Sequence, residues 1–276
     1  MNGWMAYLLL VVFFVWGKLL FPSGLSFLNQ HGIVARNYQG KALPASMGVC
    51  LMWGLFTGWV PLLLLLGDHH PTYPVLLMML VSSLTVCLLG WMDDTIGSKS
   101  AKGWKGHWRS WKQGAWTTGA MKAWGGGMAA ALAAAATSSG VIEWLMDTLM
   151  IAMMTNWLNL LDLRPGRSLK FFLLFGLALL WTAPNEAWLF TPLMGLVLAY
   201  WPLDLAGKAM LGDSGSNLLG IQLGMWLALA TSTGTALILV ALLLGGHIFA
   251  EKRSITAWIE RNRWMAYLDA LGRKQP

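Results

Sequence analysis

Charge is scarce in this sequence. Only 11% of its 276 residues are Asp, Glu, Lys or Arg, while 57% are hydrophobic, and a soluble globule needs a charged fraction of about a quarter to cover its surface. The shortage excludes a water-soluble fold and makes the bilayer the solvent of the chain. Cysteine is nearly absent as well. Cys50 and Cys87 each stand inside an apolar run, where a thiol packs as a small hydrophobe, so neither a disulfide framework nor a thiolate metal site is expected. Acid is scarcer than base, with 12 Asp and Glu against 19 Lys and Arg. The cations fall between long apolar runs rather than forming one patch, which argues against nucleic acid as a partner. The first apolar run, Trp4 to Phe21, lacks a basic leading segment and a small-x-small cleavage site, so it reads as a retained spanning helix and not a signal peptide. Internal repeats, low-complexity tails and soluble domains are absent too. Residues 1–276 form one transmembrane domain on this reading, with 251–276 as a C-terminal cytoplasmic segment.

What the sequence does have is apolar runs close to the roughly 20 residues that cross about 30 Å of hydrocarbon. They cover 4–21, 46–66, 74–91, 114–136, 143–161, 169–183, 187–203, 216–232 and 234–250. The runs predict an all-α polytopic bundle of about nine transmembrane helices. The fourth is rich in Gly and Ala, as suits close packing of helix backbones in lipid. Alternating the connecting loops between two sides puts the Lys and Arg residues on one side, with Lys18 and Lys122 counted as helix-end residues. The other side carries Asp68, His69, His70 and Glu186. By the positive-inside rule the basic side is the cytoplasm, which leaves the N-terminus outside and the C-terminus inside. Between Lys102 and Lys112, the cations Lys102, Lys105, Arg109 and Lys112 and the rings of Trp104, Trp108 and Trp111 recur at helical spacing. A short helix lying in the headgroup plane fits that pattern, as an anchor or as a guide for an anionic lipid head.

Acidic residues stand at the expected cytoplasmic ends of these runs: Asp93 and Asp94, Asp162 after Asn156 and Asn159, and Asp213. A carboxylate at mid-bilayer costs roughly 2.5 to 3.5 kcal/mol, less near an interface, so each needs a compensating partner. Asp213, opening an apolar run, has the placement of an ordinary N-cap. The adjacent pair Asp93 and Asp94 is harder to explain structurally, because like charges repel unless a cation lies between them or one binds a proton. Carboxylates with few other protein ligands suit Mg²⁺, which retains waters and takes further oxygens from substrate phosphates. His31, His107 and His247 lack ligand spacing.

The segments Pro44-Ala-Ser-Met-Gly48, Gly90-Trp-Met-Asp-Asp94, Asn156-Trp-Leu-Asn-Leu-Leu-Asp162 and Leu211-Gly-Asp-Ser-Gly-Ser216 resemble, in order and spacing, the motifs of the polyprenyl-phosphate N-acetylhexosamine-1-phosphate transferases, the MraY/WecA group. The resemblance runs from about Pro44 to Gly220. It implies membrane helices around a cytoplasmic-face cleft in a bacterial plasma membrane. It also implies transfer of a sugar phosphate from a nucleotide diphosphate-sugar to an undecaprenyl-type polyprenyl phosphate, with Mg²⁺ or Mn²⁺, for cell-envelope glycans. The implied metal ligands are Asp213 and Asp94, with Asp93 as base or activator, Asp94 as a second acid, and Asp162 with Asn156 and Asn159 positioning donor or metal. Lys41 and Lys102 read as phosphate partners or, equally open, as ordinary topology lysines, and a homodimer is one assembly open to such a chain.

The family's late histidine-rich loop has no counterpart, and where its second acid is expected the chain reads Leu163-Arg164-Pro165-Gly166-Arg167. Pro165 and Gly166 predict a turn there. Arg164 and Arg167 are accordingly expected to clamp a phosphate by paired charged hydrogen bonds, or else to serve as topology anchors. Two other readings stay open. Gly212-Asp-Ser214-Gly215 with His247 downstream is compatible with a rhomboid-like intramembrane serine protease. A non-catalytic lipid-binding or transport relative would account for the missing acid and histidine loop.

Overall fold

The computed structural model describes residues 3–97 and 117–273. Its order is α1 (Gly3–Gln30), a hairpin of β1 (Val34–Arg36) and β2 (Ala42–Pro44), α2 (Gly48–Leu66), α3 (Tyr73–Ile96), α4 (Thr118–Ala135), α5 (Val141–Leu161), α6 (Arg167–Thr182), α7 (Ala187–Leu205), α8 (Gly212–Ala230), α9 (Thr233–Lys252), α10 (Ile255–Arg261) and α11 (Arg263–Ala270). The antiparallel hairpin pairs Val34 with Pro44 and Arg36 with Ala42. The chain is thus a helical membrane protein. Five helices, α1, α2, α3, α7 and α9, are long and apolar enough to cross a bilayer by length and composition.

The helix α8 is less apolar because of where it sits. Every residue of α8 from Ser214 to Ala228 is buried, and α2, α3, α4, α5, α6 and α7 surround it. A helix whose neighbours are protein rather than lipid can carry Ser214, Ser216, Asn217 and Gln222 without exposing them to hydrocarbon. The small side chains of α4 do what their composition predicts: Ala129, Ala130, Ala133 and Ala134 are buried in contacts with α3 and α5. Cys50 and Cys87 are buried and free.

Three boundaries differ from the sequence reading in ways that shape the site. α1 continues past Pro22 to Gln30; a proline inside a membrane helix is tolerated because neighbours can satisfy the freed backbone group. α3 runs on to Ile96, so Asp93 and Asp94 belong to its end rather than following it. α8 begins at Gly212, which puts Asp213 inside the first turn. The hairpin and the short helices α10 and α11, invisible to a search for long apolar runs, are additions. The proposed headgroup helix of 102–112, Lys102 with it, lies outside the described residues.

Candidate functional site

The site is built around the N-terminus of α8. Leu211, at the cap position, offers no side-chain acceptor to the free N–H groups of the first turn. Asp94 of α3 supplies it: Oδ1 accepts the Asp213 N–H at 2.9 Å and Oδ2 accepts the Ser214 N–H at 3.3 Å. Oδ2 also accepts the Ser46 hydroxyl at 2.7 Å. A carboxylate at the positive end of a helix is favoured electrostatically as well. Ser46 reaches it from a left-handed backbone, φ 63°, an uncommon conformation for a residue with a Cβ and one held only when its surroundings dictate it. Those surroundings are a short backbone ladder, with Met210 N donating to Pro44 O at 2.8 Å and Met47 N to Met210 O at 3.1 Å. Two glycines permit the approach. A Cβ on Gly48 would lie 2.0 Å from the Gly215 nitrogen, and one on Gly90 2.5 Å from the Asp213 carbonyl oxygen. Both oxygens of Asp94 are therefore engaged, in capping α8 and in the Ser46 bond.

Beside this cap, Lys122 of α4 forms an ion pair with Asp213, and its Nζ stands 3.9 Å from Asp93 Oδ2. The Asp93 and Asp213 carboxyl groups thus share this one ammonium. Asn159 of α5 completes the cluster. Oriented so that both ends of its amide are satisfied, its oxygen accepts from Lys122 Nζ at 2.7 Å, and its nitrogen donates to Asp213 Oδ1 at 2.9 Å and Ser216 Oγ at 3.0 Å. One ammonium thus faces oxygens of Asp93, Asp213 and Asn159. Lys122 was counted above only as a helix-end cation. The signal was available, since it is the sole charge within the run 114–136.

Asp162 caps the end of α5 and accepts the Gly212 N–H. Burial pushes its carboxyl well above the usual carboxylate range, and the charges of Asp204, Asp213 and Asp94 push it further. Asp204 of α7, which sequence reasoning passed over, is buried. It accepts the Gly166 N–H and, at 3.2 Å, the Tyr200 hydroxyl. It thereby pins the turn at Pro165 and Gly166, where Gly166 takes φ 78°.

Two cavities flank the cluster. One of about 430 Å³ is lined by Asp93, Lys122, Asn156 and Asn217 and extends along Val86, Leu89 and Gly126. The other, about 370 Å³, lies under the hairpin and is lined by Asp94, Asp162, Asp204, Asp213, Arg164 and Tyr38. The Arg164 guanidinium lies 4.1 Å from the centre of the Tyr38 ring and 3.6 Å from Glu260 Oε1. Lys41, at the hairpin turn, is exposed and makes no ion pair among the described residues.

Arg167 is a correction. It is 6% exposed and spends its donors on Asp269 Oδ1 and Oδ2, both at 2.9 Å, and on Thr256 Oγ1 at 3.1 Å. Its forked geometry does bind a carboxylate in two places, but the carboxylate is the chain's own. The serine protease arrangement also lacks its central bond. Ser214 Oγ is buried with no hydrogen-bond partner, while His247 Nδ1 bonds the Leu243 carbonyl at 2.7 Å. Among the described residues no group of three or more His, Cys, Asp or Glu is arranged to hold a metal. In comparisons with known proteins, no family model and no curated sequence matches the chain.

Proposed function

We propose that this chain transfers a sugar phosphate from a nucleotide diphosphate-sugar to a polyprenyl phosphate of undecaprenyl type at the cytoplasmic face of a bacterial plasma membrane. One observation carries the reading: four segments far apart in sequence, the same four that resemble the transferase motifs, meet at the N-terminus of α8 with a cavity on each side. The cavity running along Val86, Leu89 and Gly126 suits the lipid phosphate and the first part of its chain. The cavity under the hairpin, with Arg164 on Tyr38 and four carboxylates in its lining, suits the nucleotide-sugar.

In this reading a phosphate oxygen of the lipid attacks the sugar-bearing phosphorus. The new P–O bond replaces the bridging bond to the nucleotide, and nucleoside monophosphate leaves. Such chemistry needs positioning and charge neutralisation more than covalent help from the protein. Asp93, facing the lipid cavity, accepts or orients the acceptor's proton. Lys122 turns from the carboxylates to a phosphate, and Arg164 holds a phosphate across the hairpin cavity. Asp94 and Ser46 fix the first turn of α8, and Asn159 and Asp162 orient Asp213 and the donor. The donor set of Asp93 and Asp213 fits Mg²⁺ or Mn²⁺ bound mainly through waters and phosphates, and such an ion neutralises the diphosphate when bound.

Topology supports the same side for every part. If α1 to α9 all cross, with the N-terminus outside, the ends of α3 and α5 and the starts of α2, α4 and α8 share one face. Those are the helix ends joined by Asp94, Lys122, Asn159 and Gly48. A second reading, a lipid-phosphate binder without turnover, is favoured by Lys122 already occupying the cation position. A screen of nucleotide-sugars with undecaprenyl phosphate and Mg²⁺, followed by release of nucleoside monophosphate, tests both. Release that stops in excess chelator supports the transferase, and retention of undecaprenyl phosphate with no release from any donor supports the binder.

A further inference from the structure

A third cavity, larger than the two at the carboxylate cluster, belongs to neither side of it. A groove of about 600 Å³ lies between α5, α6, α9 and the C-terminal helices α10 and α11, lined by Trp157, Phe171, Leu174, Phe249, Trp258 and Leu268. Its floor is open at Gly245, where an added Cβ would meet nothing within 4 Å. The polar groups at one end are already spent. Arg167 is bound to Asp269, and Lys170 Nζ donates to the Leu268 and Asp269 carbonyls at 2.8 Å. The helices beside the groove, α6 and α9, expose Leu174, Leu177, Leu242, Leu244 and Ile248, a surface that only hydrocarbon suits.

Cations outnumber acids beside the lining, where Glu251 and Glu260 stand among four basic residues. Lys252, Arg253, Arg261 and Arg263 are exposed and make no ion pair among the described residues. They alternate with Trp258, Trp264 and Tyr267, also exposed. Aromatic rings interleaved with unpaired cations at the end of a spanning helix are the composition of a segment seated at headgroup depth. An apolar slot that opens to the bilayer beneath such a belt matches one ligand, a diacyl lipid with a negative head. We infer that this groove is a binding site for an anionic phospholipid, one acyl chain lying along Phe171 and Phe249 and the phosphate meeting the arginines of α10 and α11.

The test uses the full chain in phosphatidylcholine vesicles containing a minor fraction of phosphatidylglycerol with a photoactivatable acyl chain, or phosphatidylcholine bearing the same tag. Cross-linked peptides are mapped by mass spectrometry. Tagged phosphatidylglycerol is expected to label 245–258 about fivefold more than tagged phosphatidylcholine, the size of preference that surface cations give an anionic head. Gly245→Trp should remove that label while labelling of the exposed face of α1 stays unchanged. Arg253→Gln combined with Arg263→Gln should bring the two lipids to parity. Equal labelling of the wild type by both lipids, or full labelling of Gly245→Trp, overturns the inference. The double arginine variant alters only exposed positions and carries the test if Gly245→Trp does not fold; a preference that survives there overturns it too.

Discussion

Two ionic clusters sit close to the loop 162–166, and they are balanced differently. At the Arg167 lock, the guanidinium and Arg273 between them satisfy Asp269, and Arg273 Nε also donates to the Pro165 carbonyl at 2.8 Å. Burial alone would raise the Asp269 carboxyl, but the hydrogen bonds and charges of the two arginines outweigh it and hold it below the ordinary range. Around the start of α8, by contrast, the Lys122 ammonium is shared by Asp213 and Asp93 among the described residues, and Asp94 and Asp162 stand beside Asp213. A closed pair needs nothing more and holds the fold. An ammonium divided between two carboxylates is a looser arrangement, and among the described residues it suits a site that receives a further charged group.

The comparison breaks most visibly if Asp213→Asn leaves turnover intact. Under the proposed reaction this variant should lose activity on the order of a thousandfold, measured as nucleoside monophosphate release, with unchanged folding judged by gel filtration and circular dichroism. At the lock the effect should fall on stability instead. Arg167→Ala leaves Asp269 with one fewer partner and should cost about 3 kcal/mol, read as a lower thermal midpoint, while activity per folded molecule stays near wild type at low temperature. Lys122→Arg keeps the charge but not the compact shape and should reduce turnover about tenfold, some 1.4 kcal/mol, with little change in midpoint.

The smallest expected effect is a pH dependence. Because Asp269 has a lowered pKa in the folded chain, its contribution is fully present above the ordinary carboxylate value of about 4 and is lost as pH falls through the lowered one. The gap in thermal midpoint between wild type and Asp269→Asn should therefore be constant at neutral pH and shrink on acidification. A gap that widens in acid would contradict the lock.

The same contrast explains how much could be read in advance. Long apolar runs locate helices because a lipid-facing stretch must be apolar along its whole length, and the segments bearing Asp93, Asp162 and Asp213 stood out because charge is rare there. Arg167 misled for a physical reason: a buried arginine bonded to a carboxylate and an arginine awaiting a phosphate use the same donors. Its partner lies 102 positions away. Lys122 is 91 positions from Asp213, and Asp94 is 119 from the amide it caps. No local period reports such pairings.

By itself, then, the sequence determined that the chain is a membrane protein and where its main helices run, since transfer free energy acts residue by residue and leaves its mark in composition. Only the tertiary structure decided which carboxylate is a cap, which arginine is a tie and which lysine neutralises the site. Those roles depend on distances between groups that meet only when the helices pack.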